Sequence, residues 1–327
     1  MHRDRKTGLV IFGILEIAMG SFCVLAIAMV ALTRALGVGS ANPPPQGTML
    51  MPLTAIYAVA AGLFVFLGTG SIRARRWARA IILCLSGVAL VGGSIAFISL
   101  ALILPHMFDR MAQAGQSSLQ PGARLIAEAV AAAVTFILYI AIPGTLFLFY
   151  RSPHVKRTCE LRDPVERWTD RCPLPVLAYS LLMGLGAVFM LSLTVQFRAF
   201  PIFGVFVTGG ARILVALLAS GLLLYLARAF YRLQIRAWWL AVALQLVGFA
   251  SNLVTFWSSD LANTYLKMGM DSRAVAMSAG MMAQPYFRWM TVLSILPWMV
   301  WLICLRRYFS QPPIPPALTP IPATVAF

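Results

Sequence analysis

Eight blocks of about twenty apolar residues follow one another along this chain, most of them bounded by short stretches rich in arginine or lysine. A bilayer core about 30 Å thick takes roughly 20 helical residues, so blocks of this length are membrane spans rather than strands of a soluble sheet. They cover residues 8–32, 52–72, 78–104, 125–150, 174–195, 211–230, 237–257 and 287–305. Of the 327 residues 60% are hydrophobic and only 11% are charged, less than half the charge of a soluble domain. That combination excludes a soluble enzyme, a disordered chain and a disulfide scaffold. The unbroken apolar runs exclude a β-barrel, whose strands alternate. The expected fold class is all-α: a polytopic membrane helix bundle of about eight transmembrane helices.

The segment 200–210 is apolar but broken by Pro201, Gly204, Gly209 and Gly210. It reads as a re-entrant or interfacial entry to the sixth span, not as a span of its own. Arg3, Arg5 and Lys6 precede the first block in the manner of a secretory signal. That block is about 25 residues long and contains Glu16, so it reads as an uncleaved first helix.

Basic residues orient the bundle. One side collects eighteen of the 26 Lys and Arg: Arg3, Arg5, Lys6, the cluster Arg73 to Arg79, six between Arg151 and Arg171, then Arg228, Arg232, Arg236, Arg306 and Arg307. The other side holds eight. The expectation is a cytoplasmic (inner) membrane with both termini cytoplasmic. The net charge of +16 then reflects topology and contact with anionic lipid headgroups. A nucleic-acid partner is not expected, because no basic segment is long enough to form a binding face.

The landmarks of the chain recur. Arg75-Arg76-Trp77 opens the third span and Arg236-Ala237-Trp238 the seventh, while Pro143 and Pro297 sit late in the fourth and eighth, each followed within nine residues by arginine. An even number of spans per half makes this a 4+4 parallel repeat. The divisions are 1–150, a connecting loop 151–173, 174–309, and a Pro-rich disordered tail 310–327. Arg75, Trp77, Arg236 and Trp238 read as interface anchors, with indoles at headgroup depth. Pro143 and Pro297 are hinge candidates, since each removes one helical hydrogen bond. The stretch Arg73 to Arg79 and the loop Cys159-Glu160-Leu161-Arg162-Asp163-Pro164 through Trp168 to Pro173 resemble segments of uncharacterised bacterial multi-pass membrane proteins. The resemblance covers about 20 residues. It implies a bacterial inner membrane and carries no activity.

Glu16 lies eight residues into the first block, about 12 Å deep at 1.5 Å per residue. An ionised, unpaired carboxylate there is costly, so Glu16 must be protonated, paired or facing water. Ser86 and Gln245 stand at the same depth in the third and seventh blocks and complete a candidate polar layer, with Asn252 a weaker member. Arg124 and Glu128, four apart, read as a local ion pair. Ala123, Ala127 and Ala131 form a close-approach face, within one chain or between copies. The five cysteines fall in spans or in the loop, so no disulfide is expected. His154, Cys159 and Cys172 lack zinc-ligand spacing, and Met277, Met281 and Met282 read as packing, so no metal or cofactor is expected. No hydrolase, metalloprotease or P-loop motif occurs, and the chain does not read as an enzyme. Two function classes remain: a small-solute or ion transporter with a mid-membrane polar site, and a non-catalytic subunit or scaffold binding a membrane protein partner or a second copy.

Overall fold

The computed structural model describes residues 4–36, 47–113, 121–258, 261–270 and 294–309, with Ser272, Val275 and Trp289 singly. The tail, the methionine cluster and most of 287–293 lie outside the described residues. The elements run α1 (Lys6–Ala35), α2 (Gly47–Ile72), α3 (Arg76–Gln113), α4 (Pro121–Phe136), a π-helical turn (Ile137–Ala141), α5 (Ile142–Arg151) and α6 (Pro153–Arg162). A 3-10 turn (Trp168–Arg171) leads to α7 (Leu174–Gln196), β1 (Ala199–Ile202), β2 (Val205–Thr208), α8 (Gly209–Tyr231), α9 (Ile235–Ser258), α10 (Leu261–Lys267) and α11 (Leu296–Phe309). The protein is therefore nearly all-α. Six stretches among the described residues are long and apolar enough to cross a membrane: Lys6–Leu32, Arg76–His106, Gly122–Arg151, Leu174–Gln196, Gly209–Tyr231 and Ile235–Trp257. Helix α2 contributes a shorter apolar run, Tyr57–Ile72.

Between 6% and 33% of each span is buried, which leaves most apolar side chains for lipid. Most of the large buried side chains gather within about two turns of the end that carries the basic loops. One cluster joins Leu9, Leu67, Ile82, Tyr150, Val155 and Cys159. The other joins Val176, Leu177, Leu226, Phe230, Trp238, Leu302 and Phe309. Helix α3 belongs to both, giving Ala78 and Ile82 to the first and Ala80 and Cys84 to the second.

Glycine sets the closest approach of α1 and α2. A methyl group added at Gly13 would stand 2.7 Å from the Gly68 carbonyl oxygen, and one at Gly68 would stand 2.6 Å from the Gly13 carbonyl oxygen. The side chains that separate most helix pairs are missing here, so backbone meets backbone. The alanine face at Ala123, Ala127 and Ala131 does not mark this crossing. Helices α7 and α8 meet through hydroxyls instead: Ser180 donates to the Ala227 carbonyl at 2.7 Å and Ser220 to the Ala187 carbonyl at 2.9 Å.

The turns α2–α3 and α8–α9 share one hydrogen-bond pattern. Ala74 (φ 50°) and Leu233 (φ 55°) both adopt the left-handed conformation that ends a helix. The Ala74 amide reaches the Ser71 carbonyl and Arg75 the Gly70 carbonyl; Leu233 reaches Phe230 and Gln234 reaches Ala229. Matching Ala74 to Leu233 sets Trp77 opposite Arg236, two positions away from the Trp77–Trp238 match that the sequence suggests.

Residues 199–208 form a two-stranded antiparallel hairpin, with Ala199 opposite Thr208 and Ile202 opposite Val205, and Gly209 and Gly210 already open α8. The turn residues Phe203 (φ 48°) and Gly204 (φ 80°) both have positive φ, as a tight hairpin of this twist requires. Their amides donate to Ser251 Oγ (3.0 Å) and Thr255 Oγ1 (3.1 Å) of α9. This hairpin is the one departure from an all-helical chain among the described residues.

The connecting loop is folded and docked. Asp163, only 2% exposed, accepts from Arg167 Nη2 at 2.9 Å, from the Arg76 amide at 3.4 Å and from Arg75 Nη1 at 3.5 Å. A carboxylate from a distant loop thus caps the start of α3, where free amides and the helix dipole favour negative charge. The Arg167 hydrogen bonds, with the Arg76 amide and the Arg75 charge, hold this carboxyl below the usual carboxylate range. A depressed carboxyl stabilises the fold above its unfolded pKa of about 3.9, and that contribution fades as pH falls through the lower folded value. Asp163→Asn is expected to cost about 2 kcal/mol at pH 7. The difference from wild type in thermal unfolding should vanish only below about pH 4; an unchanged melting temperature at pH 7 would sink the docking role.

Burial pushes the Cys159 thiol up to about 11 and Cys172 to about 12. At pH 7.5 the thiolate fraction of either is below about one in a thousand. Both should resist maleimide in the folded protein and react once it is unfolded in detergent, as intact-mass measurement would record.

Candidate functional site

Glu16 is 2% exposed, and its carboxyl lies in a chain of hydroxyls. Tyr150 lies at the end of α5 and reaches back along the bundle, so that its hydroxyl sits 3.3 Å from Glu16 Oε1. The same hydroxyl shares a short hydrogen bond with Ser71 Oγ. Ser71 also reaches the Leu9 carbonyl at 3.0 Å. A helical side chain leans toward the start of its helix, which brings the Glu16 carboxyl toward the basic end and within reach of Tyr150. The second carboxyl oxygen, Oε2, is buried and has no partner.

Glu16 lines a partly open cavity of about 470 Å³ bordered by α1, α2, α3, the π turn and α5. Ser86 lines it too, together with Met19, Phe64, Leu67, Ile82, Leu138, Tyr139 and Pro143. The structure therefore brings together Glu16, Ser86 and Pro143 from the sequence candidates. Ser86 spends its proton on the Leu83 carbonyl of its own helix at 3.1 Å, so it offers the cavity an acceptor oxygen.

The π turn explains the shape of this wall. Pro143 has no N–H to give to the carbonyl four residues back, that of Tyr139. The helix absorbs the defect by widening, with the Ile142 amide bonded to the Ile137 carbonyl, and such wide turns recur at functional sites. The Tyr139 carbonyl points at α3, where Gly93 alone leaves room for it. Leu138 and Tyr139 are about half exposed on the outer surface while also lining the cavity.

The remaining candidates lie elsewhere. Gln245 is half-buried on α9 and does not line the cavity. Asn252 donates to the Gly248 carbonyl one turn back at 2.9 Å; its neighbours Ser251 and Thr255 make the bonds between elements. Pro297 stands in the first turn of α11, a place where proline removes no helical bond, so it does not break the described helix. Arg75 is directed at Asp163. Trp77 stacks on Phe66 at 4.4 Å. Trp238 is buried and donates to the Leu302 carbonyl at 2.8 Å, so the exposed indole at that level is its neighbour Trp239. Arg236 is exposed. Arg124 pairs with Glu128 at 2.7 Å and also with Asp109 of α3 at 2.7 Å, which clamps α3 to α4.

Sequence reasoning missed Tyr150 and Ser71, which stand at span ends where polar residues are ordinary. It also missed Gly93 and the π turn, for which Pro143 was the available signal. Among the described residues no group of three or more His, Cys, Asp or Glu is placed to hold a metal ion.

Comparison with protein-family models, with curated proteins and with solved structures finds no match.

Proposed function

We propose that this protein binds a small solute at Glu16 and carries it across a bacterial cytoplasmic membrane. The single observation behind this reading is a buried carboxyl oxygen without a partner, on the wall of a cavity of about 470 Å³. A buried polar atom left unpaired costs about 1–3 kcal/mol, and a solute that supplies the partner would offset that cost. Intramembrane carboxyls mark solute and proton pathways for the same reason.

In this reading the bundle has eight spans, with α2 and α11 added to the six long ones, arranged as two parallel four-helix halves. The recurring Arg-x-Trp and proline landmarks of the sequence are the basis for the repeat. The basic end faces the cytoplasm and anionic headgroups. There Arg228, Trp168 and Tyr231 line a groove with Ser180 and mostly apolar residues, an arrangement suited to lipid. The proposal includes no catalytic step.

A scaffold role is the second reading. Leu161 and Val165, 67% and 59% exposed, flank the docked Asp163 and offer apolar surface to a partner protein. Native mass spectrometry of protein released gently from its own membrane separates the two. Transport predicts a lone or homo-oligomeric species that retains a small molecule. A stoichiometric second protein, with no small molecule held, would overturn transport in favour of the scaffold.

A further inference from the structure

Which solute the cavity takes is written in what its walls lack. Glu16 is 98% buried by its 2% exposure, and Oε2 has no donor. Among the described residues no Lys, Arg or His lines the cavity, and the Ser86 hydroxyl is already committed to Leu83. A ligand that carries its own donor would complete this carboxyl. An anion is excluded, since the wall has a carboxyl and no cation. A sugar or other many-hydroxyl solute is excluded because most of the wall is leucine, isoleucine, phenylalanine and methionine, which would strip its polar groups of partners.

The hydroxyl chain adds a proton count. Three contacts need a proton each: Glu16 with Tyr150, Tyr150 with Ser71, and Ser71 with the Leu9 carbonyl. Tyr150 and Ser71 supply two hydroxyl protons between them. The third is present only when Glu16 carries one, so the chain is complete in the neutral acid. A cation entering this site would leave a net charge in a low-dielectric wall unless that proton departed.

We infer that the ligand is a lipophilic amine in its ammonium form, with an apolar body sized for a cavity of about 470 Å³, and that it exchanges one for one with the proton on Glu16. This rests on the proposed reading of the cavity as a solute site. The balance is simple. The carboxylic acid and the ammonium ion give a carboxylate–ammonium pair, and one proton is released to solvent. The N–H of the amine then fills Oε2, Tyr150 turns its proton to Oε1, and Ser71 turns its own from the Leu9 carbonyl to the Tyr150 oxygen.

The test uses the full chain in detergent and three probes of one shape: 4-phenylbutylamine, 4-phenylbutan-1-ol and 4-phenylbutyrate. Calorimetric titration in two buffers of different ionisation enthalpy at one pH reads both affinity and protons released. The amine should bind at least tenfold more tightly than the alcohol and release about one proton, with no binding of the butyrate. Glu16→Gln should lose at least tenfold in amine affinity. Equal binding of alcohol and amine, or amine binding without proton release, would overturn the exchange. Should the variant fail to fold, dicyclohexylcarbodiimide, which attacks protonated carboxyls in apolar surroundings, reads the wild type directly. Labelling of Glu16 that the amine suppresses supports the inference. Labelling that the amine leaves unchanged overturns the amine class and spares the cavity. No labelling at all overturns the cavity reading with it.

Discussion

Gly93→Ala is expected to lower the stability of the protein by about 3 kcal/mol, the upper end of what overpacking costs. A Cβ at this position collides with the carbonyl oxygen of Tyr139, and the carbonyl carbon and Cα stand only 3.2 and 3.3 Å away. The obstruction is backbone, so no change of rotamer relieves it. Pro143 has no N–H to give this carbonyl, so the widened turn must hold its place against α3 or lose the cavity wall. Gly62 on α2 and Gly221 on α8 are the controls, because a Cβ there meets nothing within 4 Å. Alanine at either should be neutral or stabilise its helix by up to about 1 kcal/mol. Thermal unfolding of the purified variants in one detergent checks all three. A Gly93→Ala protein as stable as wild type would mean that α3 and the π turn are not packed backbone to backbone.

Replacing Glu16 by leucine should move two measurements in opposite directions. Amine binding should disappear, while the unfolding temperature rises by the equivalent of about 1–2 kcal/mol, because an apolar side chain removes the desolvation cost of the carboxyl. Tyr150 keeps Ser71 as its partner, so the substitution orphans no hydroxyl. Functional groups held at a cost to stability behave this way. A residue kept for packing would do the reverse, and a fall in stability on Glu16→Leu would return Glu16 to the structural framework.

The spans were legible because hydropathy over twenty residues is a strong signal that tertiary contacts seldom override. The Arg124–Glu128 pair was legible for a related reason: helical spacing alone places the two side chains together. Glu16 stood out as a lone acid in an apolar block, but its partners did not. Tyr150 is seven residues after a proline and beside Arg151, a position that reads as interface, and only the packing of α5 against α1 brings its hydroxyl to the carboxyl. Residues 200–210 carried the right punctuation, yet a strand pair needs both a register and a neighbour, here Ser251 and Thr255 of α9. Trp238 was misplaced by the rule that tryptophan favours the interface. The two adjacent indoles of Trp238-Trp239 pack edge to face with ring centroids 4.8 Å apart, yet only the second, 55% exposed, looks outward.

The gathering of buried side chains at the basic end leaves most apolar side chains farther along the helices facing outward, with the Arg124 clamp and the hairpin bonds to α9 as polar ties there. A molecule dissolved among acyl chains therefore meets Leu138 and Tyr139 from the side, at a surface continuous with the cavity wall. For such a solute the membrane is the reservoir. Occupancy of the site then follows its concentration in the bilayer, set by its oil–water partition coefficient, more closely than its concentration in either aqueous compartment.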